Sequence, residues 1–275
     1  MQSIYNSKRR IGQIYLSLVP FLAFIFALGV GYISYKIYLP IWIINVCLML
    51  TASWILGLHV IRNHDVEKKH VAIGAFFLIV PWILVSMFFG LGPPPETPTG
   101  WVATATEQEI RYIMLVIAGV FIAVGFAALR EKLKNTNGNF YSMLGFSAIM
   151  IAIPLFIFNM IFWSAYVPEL FRIMVASGLE KKPEWVNPVG EEFNLLACVE
   201  VSITYLAAAA FAAALRDAGW LSKIASRICI MISLLGFLTV ALLGPSTPFL
   251  IPAVPFIIPY FMGINLLRRV GDTAI

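Results

Sequence analysis

Residues 194–216 read NLLACVEVSITYLAAAAFAAALR. Glu200 is the one acidic or basic side chain in this stretch before Arg216 closes it. At 1.5 Å per residue, a run of this length covers the roughly 30 Å of hydrocarbon in a bilayer. It lacks the strict apolar-polar alternation of a barrel strand. Backbone groups in lipid have no water to bond, so a helix is the state that satisfies them.

The same reading extends outward along the chain. Runs able to cross a bilayer fall at roughly 11–33, 39–61, 71–91, 111–130, 140–166, 194–215, 224–243 and 248–267, about eight in all. Of the 275 residues, 60% are hydrophobic and 12% charged, with mean hydropathy +0.88, whereas soluble domains carry about 25% charged residues. The runs and their short connections use nearly the whole chain. The expected fold class is therefore all-α, a polytopic transmembrane helical bundle forming one domain over residues 1–275.

Lys8, Arg9 and Arg10 precede the first run, as in a signal peptide. That run exceeds an h-region, and Leu28 to Tyr32 offers no A-x-A cleavage site, so it reads as a retained helix. Basic residues recur at every second connection: Arg62, Lys68 and Lys69; Arg130, Lys132 and Lys134; Arg216, Lys223 and Arg227; then Arg268 and Arg269. Cytoplasmic loops are enriched in Lys and Arg, so both termini are expected in the cytoplasm. The alternate connections are acidic or sparsely charged, with Glu96, Glu107 and Glu109 in one and Glu169, Glu180, Glu184, Glu191 and Glu192 in another. These are expected outside. The net charge of +5 then reflects topology and contact with anionic headgroups rather than a nucleic-acid partner.

Four runs end alike, in Ile61-Arg62, Leu129-Arg130, Leu215-Arg216 and Leu267-Arg268, each followed within four residues by Asp65, Glu131, Asp217 or Asp272. Either a duplicated hairpin or the positive-inside pattern alone produces this. The stretch Asp217 to Lys223, the apolar helix after it, a Pro-containing turn and a last helix ending Leu266-Leu267-Arg268-Arg269 resemble uncharacterised bacterial multi-pass membrane families built from repeated hairpins. The resemblance implies a bacterial inner (cytoplasmic) membrane location and no particular activity. Leu39-Pro40 with Asn45, Ser53 and Arg62 resembles an early hairpin of the oxidase subunit III family, which would imply a place in a respiratory complex.

Small residues at Gly119, Ala123 and Ala127, and at Ala207–Ala210 with Ala212–Ala214, let helices approach closely in lipid, so these two helices are expected at the centre. Pro248, Pro252, Pro255 and Pro259 should bend or open the outer half of the last helix. Thr106-x-x-Glu109 has capping-box spacing, which would start the fourth long helix near Glu107. Pro168 to Gly178, with Glu169 and Arg172 among apolar residues, reads as a short interfacial helix.

Most familiar chemistries are excluded. The three Asp residues, Asp65, Asp217 and Asp272, lie at helix ends, which leaves an intramembrane aspartyl protease or a metal-dependent transferase without its carboxylates. No Lys lies in a run core for a Schiff base. No serine-hydrolase, zincin, P-loop or dinucleotide motif occurs. His59, His64 and His70 are spaced by five and six residues, unlike the i, i+4 spacing of a metal pair, and read as interfacial. Cys47, Cys198 and Cys229 read as buried small hydrophobes. No cofactor, metal or catalytic role is expected.

Glu200 is the exception that invites a function. An uncompensated charge inside a run costs at least about 2.5–3.5 kcal/mol, so this side chain must face the bundle, be protonated or meet a partner. Ala197 and Thr204 share its face and point it inward. Counting from Asn194 at 1.5 Å per residue puts it roughly 9 Å deep from the outer side. Asn45, Ser86, Asn159 and Tyr166 fall at comparable depth, with Trp42, Trp163 and Tyr260 able to wall a site. The cluster is either helix glue with an aromatic belt or an outward-facing pocket. A pocket would bind, sense or transport a small solute, cationic or amphipathic, without enzymatic chemistry. The alternatives are an accessory subunit of a membrane complex or a lipid hydrolase with unrecognised residues. Expected partners are membrane lipids, a small-molecule ligand, and a protein complex or a second copy.

Overall fold

Helix starts follow from side chains that satisfy otherwise unpaired first-turn amides. In the computed structural model, Asp65 Oδ1 accepts from the amides of Glu67 and Lys68, and Ser222 Oγ accepts from Ala225 N. The structure describes residues 2–29, 35–62, 65–86, 95, 97–179, 183–247 and 254–272. Its α-helices are α1 (Gln2–Gly29), α2 (Tyr35–Leu56), α3 (Val66–Val85), α4 (Pro98–Ala103), α5 (Ala105–Leu133), α6 (Asn139–Ile161), α7 (Val167–Ala176), α8 (Val186–Asp217), α9 (Lys223–Leu243) and α10 (Val254–Asp272). Among the described residues the protein is all-helical, without strands.

Among the described residues, six helical runs are long and apolar enough to cross a membrane: Lys36–Leu56, Val66–Val85, Ala105–Leu133, Asn139–Ala176, Val186–Asp217 and Lys223–Ser246. Each coincides with an expected run. α8 begins eight residues before Asn194, because Val186, Val189 and Phe193 form an i, i+3, i+7 stripe that packs inward while Glu191 and Glu192 stay exposed. Mean hydropathy loses such an amphipathic entry turn. α5 also starts early, at Ala105: the chain enters from α4, and Thr104 bonds Gly100 O (2.9 Å), so the Thr106 capping box is not the helix start. The short helix expected over 168–178 is α7, with Leu170, Phe171 and Met174 buried and Glu169 and Arg172 exposed.

α8 sits centrally, packed along α6 and α9, while α3 packs along α5 and α10. Between apolar helices in lipid, close van der Waals contact and not hydrophobicity drives association. Ala207, Ala208, Ala212 and Ala214 of α8 are fully buried, and the Phe211 ring lies 4.4 Å from that of Phe126 on α5. On α5, Gly119 is buried beneath the Phe156 ring and Ala123 packs against the core, but Ala127 is exposed; the buried face runs through Ala118, Ile122, Gly125, Phe126 and Leu129. α9 shows the opposite balance, with Leu235 62% and Leu242 82% exposed, as a lipid-facing surface would be. α10 runs unbroken through Pro259; Pro248 and Pro252 lie outside the described residues.

One expected topology signal has a second role. Arg9 is buried, donating to Asp272 Oδ1 (2.7 Å), Leu56 O (3.0 Å) and Arg268 O (2.7 Å). One guanidinium thus satisfies carbonyls at the C-terminal ends of α2 and α10, where a cation also meets the helix dipole. Only glycine fits there: a Cβ on Gly57 would lie 2.0 Å from Leu267 O. Cys47 is exposed and Cys198 and Cys229 are half-buried, a correction to their expected burial; Cys47 sits on the outward side of peripheral α2. His59 bonds Trp54 O (2.9 Å) and His70 is exposed, while His64 lies outside the described residues. No group of His, Cys, Asp and Glu able to hold a metal occurs among the described residues.

Candidate functional site

Glu200 lies on α8, only 5% exposed, one turn after Ala197 and next to Val201, on the side that meets α6. It shares a cavity wall with Asn159 of α6. The orientation of Asn159 is fixed from behind, since Trp163 Nε1 donates to Asn159 Oδ1 at 3.1 Å. With its oxygen engaged, Asn159 has its amide N–H groups left to offer the cavity. Trp163 is itself held between the rings of Trp101 (6.4 Å) and Tyr112 (6.2 Å), both near-parallel to it. It follows α6 in a π-helical turn, Phe162–Tyr166, a local insertion that re-aims side chains and often marks functional sites.

Glu200 and Asn159 open onto a cavity of about 340 Å³ between α1, α3, α5, α6, α8 and α10. Its walls are mainly aromatic and aliphatic, among them Phe24, Trp82, Phe156 and Phe256. The Trp82 indole N–H is spent on Phe256 O (2.9 Å), so Trp82 offers the cavity only its ring. Glu200 is the one carboxylate in the wall, and no basic residue lines it among the described residues. The lining comes from the C-terminal ends of α3 and α6 and the N-terminal parts of α5, α8 and α10, which is the end of the bundle opposite the basic clusters. Such a volume falls at the small end of ligand pockets, and apolar walls with a few converging polar groups are their usual character.

The residues singled out from sequence divide into three groups. Glu200 and Asn159 line the cavity, and Trp163 stands directly behind Asn159. Asn45 and Ser86 belong to a separate seam: Tyr15 OH donates to Asn45 Oδ1 (2.6 Å), and Asn45 Nδ2 donates to Ser86 Oγ (2.9 Å). Trp42 Nε1 donates to Ile83 O (3.1 Å) and Tyr38 OH to Ser86 O, so this seam joins α1, α2 and α3. Three further residues are committed elsewhere. The Thr204 hydroxyl bonds Glu200 O (2.8 Å) one turn back, Tyr260 OH bonds Leu16 O (2.6 Å), and Tyr166 stacks on Phe162 (4.9 Å). Tyr260 still backs the site, its ring 5.7 Å from that of Trp82.

Sequence reasoning missed Phe24, Trp82, Phe156 and Phe256. A signal existed in spacing: Phe156-Asn159-Met160 and Ala197-Glu200-Val201 are both i, i+3, i+4 triplets that place apolar walls beside the polar groups. No protein-family model matches this chain, and neither a curated protein nor a solved structure is significantly similar to it, so the chemistry of the site rests on its own residues.

Proposed function

We propose that this protein binds a small cationic or amphipathic solute in the cavity beside Glu200, in the service of sensing or transport across a bacterial cytoplasmic membrane. The single observation carrying this reading is that a carboxylate within an apolar run, the Asn159 amide and an aromatic-walled void of about 340 Å³ meet in one place. Carboxylate and aromatic ring faces both attract cations, and apolar walls take up the body of an amphipathic molecule. In this reading the chain crosses the bilayer eight times, with α1 and α10 as spans in addition to the six apolar runs. Both ends face the cytoplasm and the cavity end faces out. The apolar stretch Ile11–Gly29 and the buried packing of α10 against α3 support it.

The experiment compares benzylamine with its neutral isostere benzyl alcohol on purified protein in lipid nanodiscs, by calorimetry, for wild type and Glu200→Gln. A hydrogen bond to a charged group is worth about 1.5–3 kcal/mol, which is about ten- to hundredfold in affinity. Wild type should prefer the amine by about that factor, and Glu200→Gln should lose the preference while keeping its fold. Equal affinity for both molecules in wild type would refute a carboxylate-directed site.

A further inference from the structure

The wall of the Glu200 cavity holds one ionisable side chain and nothing of opposite sign. Glu200 is 5% exposed, the Asn159 amide is the other polar side chain in the lining, and the Trp82 N–H is already spent on Phe256 O. We propose that a cation and a proton exchange one for one at Glu200, so that the protein couples the binding of its solute to the release of a proton. This rests on the reading of the cavity as a cation site and adds the ion that leaves as the solute enters.

Charge balance carries the inference. An empty cavity with an ionised carboxyl holds an uncompensated negative charge among apolar walls, and a filled cavity with a protonated carboxyl holds an uncompensated positive one. Both are costly where water is scarce. The states that remain are neutral: a protonated carboxyl alone, or a carboxylate with its cation. Passing between them, the protonated Glu200 carboxyl and an ammonium ion give a carboxylate-ammonium pair and one free proton. The O–H bond breaks, its electron pair stays on the carboxylate, and the proton passes to water. The site is neutral before and after, which is what a solute-carrying cavity needs if it is to change shape within hydrocarbon. By linkage, the cation then weakens proton binding by the same factor that the proton weakens cation binding.

The ionisable groups on the surrounding elements leave this balance to Glu200. On α5, Arg111 lies one turn before Leu115 without lining the cavity and interacts electrostatically with Glu107, while Glu109 pairs with Arg172 (2.9 Å). Tyr260 of α10 donates to Leu16 O (2.6 Å), Tyr15 of α1 donates to Asn45, and Tyr166 after α6 stacks on Phe162. On α8 itself, Glu191 and Glu192 are exposed, Cys198 is two residues away on another face, and Tyr205 lies against Gly236 of α9. Cys229 of α9 is half-buried outside the lining. The charged residues of α1, α3, α9 and α10, with His70 of α3 and Tyr141 of α6, fall toward the opposite, basic end of the bundle.

The test titrates full-length protein in nanodiscs with benzylamine by calorimetry at neutral pH, in buffers of different ionisation enthalpy, which counts the protons released per amine bound. Benzylamine is itself protonated there, so a released proton comes from the protein. Expected is about one proton per amine, with affinity rising about tenfold per pH unit while the empty carboxyl is protonated. Glu200→Gln should release none, and its weaker binding should not vary with pH. A readout on wild type alone needs no variant to fold: protein carrying carbon-13-labelled glutamate should show the infrared band of a protonated carboxyl, and the amine should abolish it. If wild type prefers benzylamine to benzyl alcohol but releases no proton, or if the band is absent before the amine is added, the exchange is overturned and the cation site stands. No preference for the amine would overturn both. Proton release undiminished in Glu200→Gln would overturn the exchange at this residue, because the proton would then come from another group.

Discussion

Trp163→Phe tests how the candidate site is held in place. The substitution keeps an aromatic ring between Trp101 and Tyr112 but deletes the N–H that reaches Asn159 Oδ1 at 3.1 Å. Asn159 is 3% exposed, so its oxygen is left without that donor in a dry environment. An orphaned buried acceptor costs about 1–3 kcal/mol, and the smaller ring forfeits a further fraction of stacking. The variant should therefore lose about 1–3 kcal/mol of unfolding free energy, read by reversible denaturation in mixed micelles. A double-mutant cycle isolates the bond. In an Asn159→Leu background the Trp163 N–H has no acceptor, so replacing Trp163 there should cost little. The coupling should be about 1 kcal/mol or more. If Trp163→Phe costs the same in both backgrounds, the two side chains do not act together and the account of how Asn159 is oriented fails.

Three other outcomes follow from particular contacts. The amides of Glu67 and Lys68 and the Lys68 ammonium hold the exposed Asp65 carboxyl below its ordinary range, the Lys68 amide contributing most. Its contribution to stability is thus complete above about pH 4 and is lost as pH falls toward the lowered value, and Asp65→Ala should flatten that part of a stability-versus-pH curve. Gly57→Ala should destabilise strongly, since its Cβ would meet Leu267 O at 2.0 Å, whereas Gly190→Ala in α8 meets nothing within 4 Å and should stabilise by about 0.5–1 kcal/mol, both read by denaturation. Reporters fused after Ile275 or within 131–138 should read cytoplasmic and one at Pro94 external; an external C-terminus would mean an odd number of crossings.

Much of the fold was legible because a bilayer demands long apolar runs, and composition reveals those directly. The edges were less so. α4, six residues carrying Pro98 and Gly100, has no sustained apolar stretch, and α5 starts at Ala105 without a side-chain cap, which capping-box spacing cannot reveal. Arg9 was fully explained by the positive-inside pattern, which concealed its role as a clamp on two helix ends. In the site, Glu200 stood out because a carboxylate inside an apolar run is costly, and Asn159 because it is polar at the same depth. Most of the aromatic wall did not stand out: Phe156 lies one turn before Asn159, but with 21 Phe and 7 Trp in the chain only tertiary packing selects Phe24, Trp82 and Phe256. Depth alone also grouped Asn45 and Ser86 with Glu200, although their hydrogen bonds serve the α1–α2–α3 seam.

The most direct measurement is a cryo-electron-microscopy map of the protein in nanodiscs, prepared with and without benzylamine. The account predicts that the amine adds density inside the cavity, its nitrogen within hydrogen-bond distance of Glu200 and its ring against Trp82, Phe156 or Phe256. A cavity that collapses in lipid, or that holds the same acyl chain in both maps with no contact to Glu200, would contradict it.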